Sequence, residues 1–346
     1  MSAHAPATAP SETDAVEKAL LLRLASGPVP GGDLAREYSL TRAAVWKRVE
    51  ALRAAGIAIS ARRGHGYALD APVELLDAQT IAAALPAGTR AGVQGPEVVW
   101  TIDSTNSELM RRRTPDRGVA VLLAERQLGG RGRLGRDWTS PLAANLYLSL
   151  ARAFAGGLAR LGGLGLVAGV ASAEALHAAG YGMVRLKWPN DLVVVDPAGA
   201  ALRKLGGLLV EGGGEHAGPV RAVLGLGLNV GMPAAAAAAI DQPWCDLATL
   251  AHPGRPSRSA LAATLIAHLV PALEQFDREG LAPFLPRHAA LDALAGREIE
   301  LRVGSGLHAG RALGLAADGA LRVDVGGSER HFHAGEAGLR TRLATP

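Results

Sequence analysis

The pattern of hydrophobic positions predicts three short helices near the beginning of the chain, after an aperiodic tail over residues 1–17. These helices are predicted over residues 18–26, 32–38 and 42–55. Val45, Val49 and Leu52 share one face of the third helix, so we expect that face to be buried. Alternating residues between 57 and 69 then predict a β-hairpin. Helix, turn, helix and hairpin in this order are typical of a winged helix-turn-helix domain.

Basic residues are concentrated in this first domain, which we place at residues 18–72. It contains nine Lys and Arg against four Asp and Glu, a balance of +5, whereas the rest of the chain has 27 against 28, a balance of −1. A positive excess confined to one domain indicates a nucleic-acid surface there. The side chains predicted to approach DNA are Arg42, Trp46, Lys47 and Arg48 of the third helix, and Arg62 and Arg63 of the hairpin turn.

The alternative for this domain is a small helical bundle whose basic residues serve only solubility. Ser39 and Leu40 interrupt the helical pattern, and Thr41 stands where the N-cap of the next helix belongs. The break, the cap and the basic turn together favour a DNA-binding domain.

Residues 73–292 are predicted to form a domain in which strands alternate with apolar helices. The strands are predicted over 98–102, 119–124, 145–150, 183–186, 192–195, 204–211 and 220–230, and the helices over 78–84, 107–113, 158–179, 233–239 and 257–279. The helix over 158–179 carries almost no charge, so we expect it to pack against the sheet. Neighbouring strands joined by short turns predict a mixed α/β domain with a largely antiparallel sheet.

Residues 293–346 alternate between apolar and polar positions in short runs. The runs over 298–303, 311–315 and 321–325 predict a small SH3-like β-barrel. The chain as a whole is therefore predicted to be an α+β multidomain protein.

Composition excludes several classes of protein. Cys245 is the single cysteine, which excludes a disulfide framework and a Cys-based zinc site and indicates a reducing cytoplasm. We expect no association with a membrane, because no apolar run is expected to approach the length of a span and no signal peptide is evident. His331 and His333 share one strand face without a third ligand, so no metal site is predicted.

The densest chemistry lies between Glu125 and Trp138, in the sequence E-R-Q-L-G-G-R-G-R-L-G-R-D-W, which we call the Arg/Gly loop. Glycines let backbone N–H groups approach an anion, and arginines supply charge and forked donors, so the loop is suited to phosphate or carboxylate. It contains G-x-G-x-x-G, but turn residues follow where a dinucleotide-binding helix would begin, and the next acidic residue after Asp137 is Glu174. We therefore reject a dinucleotide fold.

Three further motifs follow the Arg/Gly loop. They are K-W-P-N-D from Lys187, K-L-G-G-L-L-V-E from Lys204 and G-L-G-L-N from Gly225. With the loop, these motifs resemble those of the biotin protein ligases, in the same order. The preceding winged helix makes the chain similar to the bifunctional class, which also represses the biotin operon. The resemblance runs from about Lys18 to Arg340.

The resemblance implies that ATP activates biotin to biotinyl-5′-adenylate, and that biotin then passes to a lysine of the carboxyl carrier protein of acetyl-CoA carboxylase. It implies catalytic roles for Lys187, Arg131 and Arg133. It implies biotin contacts by Ser104, Thr105, Asn106, Gln127, Arg131, Gly132, Arg133 and Lys187. It implies ATP or adenylate contacts by Arg131, Arg133, Arg136, Trp138, Asn190, Asn229 and Trp244. It also implies operator DNA as a partner and a homodimer when the adenylate is bound.

No P-loop motif occurs in the chain, so Mg²⁺ is expected to enter with the nucleotide phosphates. Leu134 and Asp137 stand where some relatives carry basic residues. Six alanines replace a more varied stretch in the loop expected to close over the adenylate, which we call the alanine segment (residues 231–244).

Two alternative functions remain open at this stage. One is a biotin-sensing repressor without catalysis, which the presence of Lys187 and of a complete Arg/Gly loop disfavours. The other is a lipoate-type ligase on the related fold, against which K-W-P-N-D and R-G-R favour biotin.

Overall fold

A computed structural model describes residues 11–62, 64–155, 157–196, 201–214, 220–250, 257–303, 305–334 and 337–341. The N-terminal domain consists of α1 (Glu12–Ala25), α2 (Gly31–Glu37), α3 (Arg42–Ala54), β1 (Ile59–Arg62) and β2 (Gly66–Leu69). The strands pair antiparallel, as predicted. Helix α1 begins earlier than the hydrophobic period indicated, because the Ser11 hydroxyl caps it by accepting the Asp14 N–H at 3.1 Å. The end of the predicted tail is therefore helical, and the rest of that tail lies outside the described residues.

Helix α3 has the buried face that the sequence predicts. Val45, Val49 and Leu52 are buried, and the Thr41 hydroxyl accepts the Ala44 N–H at 3.1 Å, which confirms the cap. Leu142 and other residues of the following domain complete the same hydrophobic core. The N-terminal domain therefore packs directly on the domain that follows it.

Seven strands form the central sheet. They are β3 (Val93–Ile102), β4 (Val119–Gln127), β5 (Leu146–Phe154), β6 (Val184–Lys187), β7 (Asp191–Val195), β8 (Leu202–Gly214) and β9 (Val220–Leu228). The strand order is β3-β4-β5-β9-β8-β7-β6. Only the β3–β4 pair among them is parallel, so the prediction of a largely antiparallel sheet is confirmed.

Helices surround this sheet. They are α4 (Ala78–Ala84), α5 (Ala87–Gly92), α6 (Thr105–Arg111), α7 (Leu164–Ala178), α8 (Ala234–Ala237), α9 (Arg258–Glu279) and α10 (Leu285–Leu291). Helices α7 and α9 supply much of the main core. The helix predicted over 158–179 starts as a 3-10 turn at Leu158–Gly163 and becomes α-helical only at Leu164, after two glycines that disfavour an α-helix.

Two helices have the length and composition of a membrane span, contrary to our expectation. They cover 161–178 and 258–279, and 67% and 61% of these windows are buried inside the protein. Packing against the sheet therefore accounts for their apolar character.

The C-terminal domain is a five-stranded antiparallel sheet. Its strands are β10 (Glu298–Val303), β11 (Gly306–Leu315), β12 (Leu321–Val325), β13 (Ser328–Phe332) and β14 (Ala337–Thr341), in the order β13-β12-β11-β10-β14. The sheet is consistent with the predicted small barrel. Trp188 of the K-W-P-N-D motif is buried against this domain and donates its indole N–H to the Gly319 carbonyl at 3.2 Å. The C-terminal domain thus packs against the turn after Lys187 and stabilises it.

Candidate active site

A cluster of small polar side chains lies where β3 ends and α6 begins. Ser104, Thr105 and Asn106 are all buried there. The Thr105 N–H and hydroxyl donate to Gln127 Oε1 at 2.9 and 3.1 Å. The Ser104 hydroxyl caps α6 by accepting the Ser107 N–H at 3.4 Å. Four residues predicted to hold a neutral ring therefore lie together, and the same turn also caps a helix.

Ser149 of β5 belongs to this cluster, although the sequence reasoning missed it. Its buried hydroxyl lies 2.7 Å from Thr105 Oγ1 and 2.6 Å from Asn106 Oδ1. A single serine inside the apolar run L-Y-L-S-L was the available signal, because a polar side chain in a buried strand needs partners. We call Thr105, Asn106, Gln127 and Ser149 the polar cluster.

The glycines of the G-L-G-L-N motif make room for side chains of the site. A Cβ on Gly225 would stand 2.3 Å from Asn106 Oδ1. A Cβ on Gly227 would stand 2.4 Å from the Trp138 indole, which lies flat against the sheet at this point. These two positions on one face of β9 therefore accept only glycine, the first beneath the polar cluster and the second beneath the end of the Arg/Gly loop.

The Arg/Gly loop is folded back on itself. The Gly132 N–H donates to the Arg136 carbonyl at 2.7 Å, and the Trp138 N–H donates to the Gly130 carbonyl at 2.9 Å. Leu134 at the tip adopts φ 57°, a left-handed conformation that is uncommon for leucine, and its side chain is exposed. The Arg/Gly loop is thus held in a defined conformation between β4 and β5 by its own backbone hydrogen bonds.

Lys187 ends β6 beside Asp191 and Lys204. Lys204 Nζ forms an ion pair with Asp191 at 2.8 Å and lies 5.4 Å from the Trp138 ring centroid. Among the described residues, none forms a hydrogen bond or ion pair with Lys187 Nζ. Burial lowers the pKa of Lys187, Asp191 opposes this effect, and Lys204 and Arg136 add to it. Lys187 is therefore a desolvated cation that is available to an anion.

The three arginines of R-G-R-L-G-R differ in their surroundings. Arg131 forms an ion pair with Glu211 at 3.0 Å. Arg133 donates to Asn190 Oδ1 at 3.3 Å and to the Ala334 carbonyl of the C-terminal domain, and burial lowers its pKa. Arg136 is exposed, and no hydrogen bond or ion pair joins its guanidinium to another described residue. Lys187 and Arg136 thus have charged groups with no hydrogen bond or ion pair to a described residue.

Asn190 and Asn229 support the backbone around the site. Asn190 Nδ2 donates to the Leu208 carbonyl at 2.7 Å, and the buried Asn229 Nδ2 donates to the Cys245 carbonyl at 3.1 Å. Trp244 is half-buried and forms a β-bridge with Lys204. The two amides thus fix the turn after β6 to β8 and the end of β9 to the residue that follows the alanine segment.

The predicted DNA-facing residues separate into two groups. Trp46 is 57% exposed, so it does not cover the core of its own domain. Arg42, Lys47 and Arg62 are also exposed. Arg48 instead turns toward α1, where it lies 3.7 Å from the buried Glu17. Arg63 lies outside the described residues.

Comparison with known proteins finds the same two parts. The family described as HTH domain matches residues 17–68, and the Biotin/lipoate A/B protein ligase family matches residues 96–229. The chain is 38% identical over 324 residues to the bifunctional ligase/repressor BirA of Escherichia coli (strain K12), which covers 93% of this chain and 96% of that relative. It is 31% identical over 226 residues to the biotin–[acetyl-CoA-carboxylase] ligase of Paracoccus denitrificans, or 63% of this chain and 90% of that relative.

A solved structure shares the fold over most of this chain. The biotin protein ligase from Aquifex aeolicus in complex with biotin and ATP superposes with a TM-score of 0.58 at 24% identity, over 71% of this chain and 98% of that chain. With 38% identity to a relative that is matched over 96% of its length, this chain belongs to the family of bifunctional biotin ligase/repressor proteins.

Proposed function

We propose that this protein forms biotinyl-5′-adenylate from biotin and ATP and transfers the biotinyl group to a lysine of the biotin carboxyl carrier protein of acetyl-CoA carboxylase. The observation that carries the proposal is Lys187, an uncompensated cation at the end of β6. The polar cluster supplies a second, neutral half of the same cleft. A reaction that joins a ring-bearing carboxylate to a phosphate needs both halves.

The adenylation step brings two anionic groups together, so it requires cationic side chains of the kind found in this site. A biotin carboxylate oxygen attacks the α-phosphorus, the bond from phosphorus to the bridging oxygen breaks, and pyrophosphate leaves. Both reactants are anionic, so a site that neutralises and aligns them lowers the barrier. We assign this neutralisation to Lys187 and Arg136, with Arg133 beside them. In this proposal the polar cluster orients the ring, and Trp244 covers the adenine.

The transfer step then needs a neutral amine. The acceptor lysine attacks the acyl carbon, the bond from that carbon to the phosphate oxygen breaks, and AMP leaves. Mg²⁺ enters as part of the MgATP substrate in this proposal, and its ligands are the nucleotide phosphates.

We assign a second role, repression, to the N-terminal domain. Arg42, Trp46, Lys47 and Arg62 present an exposed basic and aromatic surface suited to operator DNA. In this proposal the adenylate-bound protein acts as a homodimer in the cytoplasm.

Transfer of radiolabelled biotin to the carrier domain tests the catalytic proposal. Wild-type protein is expected to label the carrier only when ATP and Mg²⁺ are present, and a carrier whose acceptor lysine is replaced by Arg is the control. Biotin binding without any label transfer would instead support the non-catalytic sensor.

A further inference from the structure

Among the three arginines of R-G-R-L-G-R, Arg131 is the one that forms an ion pair with a described carboxylate. Its Nη2 lies 3.0 Å from Glu211 Oε1 and 2.9 Å from the Ser107 hydroxyl. Glu211 belongs to β8 and Ser107 to α6, so the guanidinium joins the loop to two fixed elements. An arginine paired in this way has its charge largely cancelled at a distance.

Glu211 also reaches the polar cluster. Its Oε2 accepts the Asn106 Nδ2 hydrogen at 2.9 Å, while Asn106 Oδ1 faces the Ser149 hydroxyl. The carboxylate therefore fixes which end of the Asn106 amide points toward Ser149. One acidic side chain thus holds both the ring-binding amide and the base of the loop.

The main chain at Arg131 carries the anchor into the loop. Arg131 forms a β-bridge with Asp137, and the next residue, Gly132, donates its N–H to the Arg136 carbonyl. Fixing the Arg131 side chain therefore fixes both sides of the narrow base from which Arg133 and Arg136 project.

We infer that Glu211 is a positioning residue for the proposed reaction, and that Arg131 anchors the loop through Glu211 instead of delivering its charge to the adenylate. The inference rests on the proposed function. The inference distinguishes Arg131, which is paired with a carboxylate, from Lys187 and Arg136, whose charged groups have no such partner among the described residues. Arg131 holds the loop in place, whereas Lys187 and Arg136 supply positive charge to the reacting groups. If Arg131 anchors the loop, its loss should weaken the binding of biotin and of the adenylate equally, because the loop covers both ligands. If its charge instead acts on the phosphate, its loss should weaken only the binding of the adenylate.

The expected effect is modest. The side chains of Arg131 and Glu211 are 46% and 28% exposed, and ion pairs this exposed contribute little. Breaking the anchor should weaken ligand binding by roughly two- to fivefold. Removing a direct contact between an arginine and a phosphate would cost on the order of tenfold or more for the adenylate alone.

Calorimetric titration of the full-length chain tests the inference with two ligands, biotin alone and a non-hydrolysable biotinyl-adenylate analogue. The variants are Arg131→Gln, Glu211→Gln and the double variant. The ion pair Arg311–Glu298 of the C-terminal domain, 63% and 54% exposed, supplies the matched control as Arg311→Gln with Glu298→Gln. We expect each single variant to weaken both ligands by the same factor, the double variant to be no weaker than the singles, and the control to bind as wild type.

Hydrogen exchange of residues 128–138 without ligand gives a readout that is independent of the reaction. It should be faster in both single variants than in wild type or in the control. A loss confined to the adenylate analogue in Arg131→Gln, or wild-type binding and exchange in Glu211→Gln, would overturn the anchor while leaving the proposed function intact. A wild-type protein that binds neither ligand would overturn both.

Discussion

Lys187 is desolvated, and the carboxylate beside it is paired with a different lysine. Asp191 pairs with Lys204 at 2.8 Å, and burial lowers the pKa of Lys187 below its ordinary value. The unfolded chain therefore binds more protons than the folded one in the interval between the lowered pKa and about 10.5. Stability should rise with pH across that interval, because the charged amine opposes folding at neutral pH.

Replacing Lys187 by Met should raise the melting temperature of the ligand-free protein and slow adenylate formation by ~100-fold or more. The uncharged side chain fills the same space without the cost of desolvating a charge. Lys204→Met is the matched control and should lower the melting temperature, because it leaves Asp191 half-buried without its partner. Thermal melts and pyrophosphate release measure the two effects. Wild-type activity in Lys187→Met would contradict the role assigned to this residue.

His288 should make the protein sensitive to acid. It is 3% exposed, and burial lowers its pKa to about 4. The unfolded state protonates near 6.5, so the contribution of His288 to stability is constant above that pH and is lost as the pH falls toward 4. The expected loss between pH 7 and pH 5 is about 2 kcal/mol. Urea unfolding of wild type and His288→Leu at both pH values measures it, and an equal pH dependence in the two proteins would exclude His288 as the cause.

Individual residues also show which features of the site can be predicted from the sequence and which cannot. Thr105, Asn106 and Gln127 carry recognisable motif chemistry, and the structure brings them together. Glu211 ends the K-L-G-G-L-L-V-E motif, but nothing in the sequence says that it pairs with Arg131, eighty positions away. Such pairs depend on strand order and register, which neighbouring residues do not encode.

Elements with a cap and a clear hydrophobic period were predicted well. Helices α4 and α9 have the expected bounds, and the Asp77 and Ser257 side chains cap them. Strand β13 was expected only through the strand face assigned to His331 and His333, and its bounds were not predicted, because four of its five residues are exposed and its sequence has no alternation to detect. Helix α5 was missed because its six residues include two glycines.

The alanine segment is held at its two ends. Asp246 Oδ2 accepts the Met232 N–H at 2.8 Å, and the Pro243 carbonyl accepts the Lys204 N–H at 2.9 Å. Between these points, the described hydrogen bonds of α8 are local to the segment. A helix this short has little stability of its own.

We therefore predict that the alanine segment exchanges its amide hydrogens rapidly without ligand and becomes protected when biotin and ATP are present. Burial of the small apolar side chains against an adenine would supply the missing stability. Exchange mass spectrometry in both states measures this, with the buried helix α9 as an internal reference. Equal exchange in the two states would mean that the segment is not a closing lid.

At the scale of the whole molecule, a buried ion pair of the central domain holds the linker that follows the N-terminal domain. Arg258 at the start of α9 and Glu125 at the end of β4 are 0% and 3% exposed. Arg258 also donates to the carbonyl of Glu74, in the linker that follows the N-terminal domain, at 3.0 Å. The Glu74 carboxylate in turn accepts the Arg258 N–H at 2.8 Å. The linker is thus fixed to the strand that leads into the Arg/Gly loop.

Arg258→Met should destabilise the protein by about 3–5 kcal/mol, because it leaves the Glu125 carboxylate buried without its cationic partner. Adding Glu125→Gln should recover a large part of that loss, since the charge is then gone from both sides. Denaturant unfolding of the single and double variants measures the difference. A single variant as stable as wild type would show that the pair does not stabilise the central domain or its linker.

DNA binding should depend on ligand through assembly of two copies. One winged helix with few exposed basic residues neutralises too few phosphates to bind tightly, so two copies on a palindromic site are needed. If the adenylate promotes pairing of the catalytic domains, it supplies the second copy and couples the two activities. A gel-shift series on the promoter of a biotin-synthesis gene should therefore show tight binding only with biotin and ATP.

Arg42→Gln should weaken that binding, whereas Arg48→Gln should change it less, because Arg48 faces Glu17 and not the open surface. Equally tight binding with and without the two ligands would exclude the coupling.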